Sequence, residues 1–244
     1  MSKKVLILGG NSDIGIAIAE NFMLKGYDVQ LATRNSQKQN SNASNFKLRY
    51  EKKVHIYEFD ILNNHNHKSF IENLSGLPDI VICVVGYMGK QDINEINLEE
   101  RTLVMKTNYE GPVNILSEFA NLYEKEGYGT IVGVSSVAGE RGRGSNYIYG
   151  ASKSGFTSFL SGLRNRLVKK NVHVLTVLPG PVKTKMTQNT QLPKFLSTSP
   201  NEVATMVYKA VIKRKNIIYV RSIWKYLILI IKIIPEQIFK YLKL

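Results

Sequence analysis

The chain has 244 residues, 43% of them hydrophobic, enough for one domain with a full core, since α/β folds of this length often stay undivided. Its formal net charge of +14 suits nucleic acid, an anionic membrane surface or an anionic substrate, but no nucleic-acid motif accompanies the charge. A single cysteine, Cys83, excludes a disulfide framework and fits a reduced, cytoplasmic setting, and four scattered histidines offer no metal site.

Short apolar runs alternate with amphipathic stretches of helical length, the pattern of a parallel sheet with helices on both faces. Seven runs read as strands: Val5–Leu8, Val29–Ala32, Val54–Phe59, Ile80–Val85, Ile131–Val134, Val172–Leu178 and Ile217–Val220. The first is too short for a signal sequence. It leads into Gly9-Gly-Asn-Ser-Asp-Ile-Gly15 and a helix start. Such a turn serves a dinucleotide: Gly9 allows the tight bend, Gly15 lets the helix approach the sheet, and helix-end amides receive a pyrophosphate. Gly9, Asn11, Ser12, Asp13, Ile14 and Gly15 are therefore the first cofactor candidates.

The second strand ends Ala32-Thr-Arg34. A carboxylate there would take the NAD ribose, whereas Arg34 favours the extra phosphate, so NADP(H) is expected over NAD(H). The polar stretch Asn35–Lys53 reads as a surface connection. Asp60, closing the third strand, is a candidate for the adenine amino group or for a helix cap. His65 and His67 in the following polar segment read as a helix entrance.

Further along, Asn108 lies within a long helix, Ser136 follows the fifth strand, and Tyr149-Gly-Ala-Ser-Lys153 opens the next helix. Four residues apart, the phenol and the ammonium share a helix face. A neighbouring cation would bring a tyrosine from its usual value near 10 toward neutrality, where it can act as acid or base. After the sixth strand comes Leu178-Pro-Gly-Pro-Val-Lys-Thr184.

Taken in order, these motifs resemble the short-chain dehydrogenase/reductase family over residues 4–220. The resemblance implies an α/β, three-layer Rossmann fold with a doubly wound, seven-stranded parallel sheet, and an NAD(P)-dependent oxidoreductase. It implies that Ser136 polarises the substrate oxygen, Tyr149 exchanges the proton, Lys153 lowers the tyrosine and holds the nicotinamide ribose, and Asn108 anchors a relay water. Gly86 carries over to the cofactor site, and Pro179, Gly180, Val182 and Thr184 border the nicotinamide. Two departures stand out: Asp13 replaces the central glycine of Gly-x-x-x-Gly-x-Gly, and Val84-Val85-Gly86 replaces Asn-Ala-Gly.

The stretch Ser135–Gly150, the turn Gly9–Gly15 and the ending Ile233-Ile-Pro-Glu-Gln-Ile-Phe-Lys-Tyr-Leu together further resemble reductases of decaprenylphosphoryl-2-keto-ribose, the reducing half of a lipid-linked arabinose synthesis. That narrower resemblance implies a polyprenyl-phosphate-linked sugar or other carbonyl substrate, a flavin-dependent oxidase partner and a role in cell-wall biosynthesis. Arg141 and Arg143, between Ser136 and Tyr149, are candidates for a substrate phosphate, or solvated loop residues. A homodimer or homotetramer is expected.

Residues 1–220 read as the Rossmann domain and 221–244 as a C-terminal extension. That extension is rich in Ile, Leu and aromatic residues, is punctuated by Lys225, Lys232, Lys240 and Lys243, and breaks at Pro235. It is too short and too charged to span a bilayer, which takes about 20 apolar residues. It reads as a basic amphipathic helix at the inner membrane face, or as a helix packed on the core or a dimer mate.

Overall fold

The computed structural model describes residues 2–34, 36, 46, 54–187 and 196–242. Apart from Ser36 and Phe46, the polar stretch 35–53 lies outside them, as does Lys243. Seven strands form one parallel sheet in the order β3-β2-β1-β4-β5-β6-β7. They are β1 (Lys4–Leu8), β2 (Asp28–Thr33), β3 (Val54–Glu58), β4 (Ile80–Cys83), β5 (Thr130–Val134), β6 (His173–Pro179) and β7 (Ile217–Val220). All seven fall where the apolar runs lie. β4 stops at Cys83 rather than Val85 because the chain turns there toward the site, Val84 N–H still donating to Leu8 O at 3.0 Å.

The helices are α1 (Asp13–Leu24), α2 (His67–Glu72), α3 (Gln91–Ile96), α4 (Leu98–Met105), α5 (Gly111–Glu126), α6 (Tyr147–Leu167), α7 (Pro200–Ile212), α8 (Ile223–Ile233) and α9 (Glu236–Phe239). Period-two alternation divides the strands between two cores. Val5 and Ile7 of β1 and Ile80 and Ile82 of β4 face one layer with Ile18 and Phe22 of α1 and Val203 and Val207 of α7. Leu6, Leu8, Val81 and Cys83 face the other, with Phe119 of α5 and Phe156 and Leu160 of α6. Strands buried on both faces must be continuously apolar, as Val5–Leu8 of β1 and Ile80–Cys83 of β4 are, whereas the edge strands β3 and β7 are partly exposed. His67 opens α2 buried, its ring 5.4 Å from that of Phe59, rather than at a polar surface.

Three features of this frame position the site. The reversal of strand order between β1 and β4 opens a crevice at the carboxyl end of the sheet. Between α4 and α5 the backbone widens into a π-helical turn over Lys106–Glu110, which contains Asn108; such turns often mark functional sites. Finally, α8 buries Trp224 and Ile228 against Val137 and Leu178, so the inner face of the tail is part of a core.

Candidate active site

A cleft of about 420 Å³ opens at the carboxyl ends of β1, β2 and β4. Gly9, Asn11, Ser12, Asp13 and Ile14 line one side, Arg34 stands at one end, and Gly86 and Thr184 lie on its wall. Gly15 sits behind: a Cβ there would lie 2.5 Å from Gly9 O and 2.9 Å from Ser12 Oγ, so only glycine allows this helix start to press on the turn. Ser12 caps α1, its Oγ accepting from Gly15 N–H at 3.0 Å and donating to Gly9 O at 2.8 Å. The first-turn amides of α1 have no intrahelical acceptors, and with the helix dipole they make this end a receptor for phosphate. The cleft, the glycine-dependent approach and the exposed Arg34 fit a dinucleotide.

Asp13, the unexpected acid, is turned aside. Its carboxylate accepts from Lys185 N–H at 2.9 Å, tying the start of α1 to the segment after β6. Lys185 and Met186 therefore join Thr184 on the cleft wall. Phe59, Ile61, Val84, Val85, Tyr87, Leu103 and Thr107, which no motif singles out, line the cleft as well. Phe59, Ile61, Val84, Val85 and Tyr87 follow strand ends, their one sequence signal, whereas Leu103 and Thr107 come from α4 and the π-helical turn and carry none. Asp60 does not line the cleft: it is exposed and accepts from Leu62 N–H at 3.0 Å, the turn-capping alternative.

Beyond Gly86 the cleft meets a buried polar cluster. A Cβ on Gly86 would lie 3.3 Å from Asn108 Oδ1 and 3.5 Å from Lys153 Nζ. Asn108 is fully buried. Its amide donates to Tyr87 O at 2.6 Å and Val104 O at 2.8 Å and accepts from Tyr87 N–H at 3.0 Å. It thus pins the chain after β4 to α4, the role that the departure at Val84-Val85-Gly86 left open.

Ser136 follows β5 and caps a short 3₁₀ turn, its Oγ accepting from Ala138 N–H at 3.1 Å. That turn lies hard against α6. A Cβ on Gly139 would sit 2.7 Å from the Lys153 carbonyl carbon, and one on Gly150 would sit 2.9 Å from Ala138 O. Ser135 Oγ adds a bond to Lys153 O at 2.9 Å. This close docking brings the Ser136 hydroxyl into hydrogen bonding with the Tyr149 phenol.

Burial pushes Tyr149 up to about 12, the Ser136 bond pulling the other way. This differs from the expected lowering by Lys153. The Lys153 ammonium stands 5.9 Å from the Tyr149 ring centroid and donates to Val134 O at 3.2 Å. Burial brings it down to about 8, with the nearby Cys83 opposing. Desolvation outweighs charge pairing here, because each group lacks an opposite charge. The phenol therefore holds its proton at neutrality, poised as an acid. Cys83, pushed up to about 11 by burial, is an inert thiol.

The segment after β6 divides its residues. Val182 is buried in the core of the α1 face, whereas a Cβ on Gly180 would overlap the Trp224 indole, which donates to Leu196 O at 3.0 Å. Pro179, Gly180 and Val182 are not on the wall of the 420 Å³ cleft; Thr184 is.

Arg141 is not available to a substrate phosphate. Its guanidinium caps the end of α8, donating to the carbonyls of Ile231 and, at 2.7 Å, Ile234. It pairs with Glu236 at 2.9 Å and stacks 3.6 Å from the Phe239 ring centroid. The last carbonyls of a helix lack intrahelical donors, and a cation satisfies them while opposing the dipole. Glu140 beside it pairs with Lys232. Arg143 is half-buried, and burial lowers it.

Comparison with known proteins agrees with this geometry. A family model described as short chain dehydrogenase matches residues 3–194. An uncharacterized oxidoreductase of Mycobacterium tuberculosis is 28% identical over 239 residues, which is 97% of this chain and 95% of that relative. A 3-oxoacyl-acyl-carrier-protein reductase of Aquifex aeolicus is 28% identical over 218 residues, 84% of this chain and 88% of that relative. A short chain dehydrogenase from Burkholderia cenocepacia, solved with NADP, has the same fold, with a TM-score of 0.82 at 21% identity over 95% of this chain and 93% of that one. With the family model covering the glycine turn, the crevice and the Ser136–Tyr149–Lys153 cluster alike, the chain belongs to the short-chain dehydrogenase family and is an NAD(P)-dependent oxidoreductase.

Proposed function

We propose that this protein is an NADPH-dependent ketoreductase acting on a polyprenyl-phosphate-linked keto-pentose, taking 2-keto-ribose to arabinose for cell-envelope glycan synthesis. The observation that carries the ketoreductase reading is the protonated, Ser136-bonded Tyr149 phenol beside the buried Lys153 ammonium. Ser136 holds and polarises the carbonyl oxygen. Tyr149 delivers its proton to that oxygen, and Lys153 steadies the phenolate left behind. Asn108 holds the Tyr87 backbone, and with it the neighbouring Gly86, where a Cβ would lie 3.5 Å from the ammonium. Gly9, Asn11, Ser12, Ile14 and Thr184 would hold a reduced dinucleotide in the cleft, and that group would supply the hydride for the carbonyl carbon.

Arg34 supports the choice of NADPH, an exposed cation at the β2 end of the cleft. Changing it to Ala is expected to weaken NADPH about tenfold or more relative to NADH, the loss of one charge-assisted phosphate contact. Equal weakening of both cofactors, measured by titration, would count against the preference. An anionic substrate is supported by Arg143, a half-buried cation in the loop between Ser136 and Tyr149, with no carboxylate partner among the described residues. A flavin-dependent oxidase fits as the supplier of the ketone.

A second reading, reduction of another lipid ketone, is favoured by the likeness to the acyl-carrier reductase. The test is NADPH oxidation with lipid-linked 2-keto-ribose beside a 3-oxoacyl thioester and simple sugar ketones. Preference for either of the others overturns the pentose assignment.

A further inference from the structure

The helix α8 is apolar on two opposite faces, with Lys225 and Lys232 its charged residues. Its inner face, Trp224 and Ile228 with Leu227 and Ile231 beside them, packs on Val137, Leu178 and Leu196. On the opposite face, Tyr226, Leu229, Ile230 and Ile233 recur at helical spacing and are 63%, 60%, 56% and 71% exposed. In α9 and the residues after it, Ile238, Tyr241 and Leu242 are exposed as well. An exposed apolar stripe of this size on one helix marks an interaction surface.

Its length decides how it can meet lipid. Eleven residues extend about 16 Å at 1.5 Å per residue, half of the roughly 30 Å of a bilayer core, and no described helix is long and apolar enough to cross a membrane. The helix can therefore only lie along a surface.

Its charges decide what that surface is. From Ile223 to Leu242 the cations are Lys225, Lys232 and Lys240 and the one acid is Glu236. Glu236 is neutralised by Arg141, and Lys232 leans back onto Glu140. Lys225 and Lys240 remain exposed at the two ends of the apolar stretch. Tyrosines 226 and 241, with an apolar ring and a polar tip, suit the headgroup level. A second copy of this chain on the same face would bring lysines together with no free carboxylate among the described residues of α8 and α9, and like charges there repel.

We propose that the outer face of α8 and α9 docks on an anionic membrane surface, Tyr226, Leu229, Ile230 and Ile233 entering the headgroup boundary while Lys225 and Lys240 meet anionic headgroups. The inner face of the same helix backs the Gly180 segment and the loop after Ser136, so docking sets the substrate side of the enzyme near the lipid. This inference does not depend on the substrate's identity.

Co-sedimentation of the full-length protein with phosphatidylcholine vesicles, with and without phosphatidylglycerol at about a third of the lipid, tests it. Binding to the anionic vesicles, falling at high salt, is expected; failure of the wild-type protein to bind them overturns the proposal outright. The double variant L229Q/I233Q alters only exposed side chains and should melt as the wild type does, while losing about tenfold or more in partitioning. K225E/K240E should lose at least about tenfold, and Leu229→Trp should keep binding. Should sedimentation velocity instead show a dimer that L229Q/I233Q converts to monomer, with vesicle binding unchanged by that variant, the face belongs to a second copy and the membrane assignment is overturned.

Discussion

The Tyr149 hydroxyl is the acid of the proposed reaction, and among the described residues its one bond is to Ser136. Replacing it with Phe should cost about a thousandfold in turnover, within the range for a positioned general acid, and leave cofactor binding near normal. Stopped-flow reduction and cofactor titration check both halves, and retained turnover would remove Tyr149 from the mechanism. Lys153 pays for its place. Held at about 8 instead of the usual 10.5, it destabilises the fold below that range. The unfolded chain binds the extra proton between those values, so this group makes stability rise with pH across the window. Lys153→Met should abolish turnover yet stabilise the protein by about 2 kcal/mol near pH 7, the burial cost less the bond to Val134. The gap in melting temperature should shrink as pH approaches about 10; a variant that melts lower at every pH would show the ammonium to be a net structural asset.

At the scale of elements, α8 is held by contacts from loops that also carry the site. Arg141→Leu should strip the cap from its carboxyl end and cost about 2 kcal/mol, the worth of charged hydrogen bonds. That corresponds to a melting temperature lower by about 5 °C for a chain of this size. Hydrogen exchange should quicken first within residues 223–239. Exchange that quickens uniformly would mean that α8 has no local stability of its own to lose. The same packing means that cutting the chain after Val220 removes Trp224 and Ile228 from a core, so only point changes on the outer face separate docking from folding.

Across the whole molecule, the bond from Lys185 N–H to Asp13 joins residues 172 positions apart and draws the segment after β6 to the cofactor turn. Asp13→Ala should free that segment before any cofactor binds. Limited trypsin digestion should then cut after Lys183 or Lys185 several-fold faster, with the melting temperature little changed, since local opening governs such cleavage. An unchanged cleavage rate would show that the segment is held by its other contacts, among them Thr184 N–H to Thr187 Oγ1 at 3.2 Å and Thr198 N–H to Pro181 O at 3.0 Å.

The strands, the glycine turn at Gly9–Gly15 and the Tyr149–Lys153 pair were legible because each rests on local chemistry. A strand buried on both faces must be an apolar run, a crowded turn must be glycine, and two side chains four residues apart share a helix face. What only the tertiary structure decided are contacts between distant segments: Asp13 with Lys185, Arg141 with the end of α8, Gly180 with Trp224, and Asn108 with Tyr87. The sign of the Tyr149 shift belongs with them. Spacing put a lysine beside the phenol, but how far each is removed from water, and so whether desolvation or attraction prevails, depends on the layers packed around both.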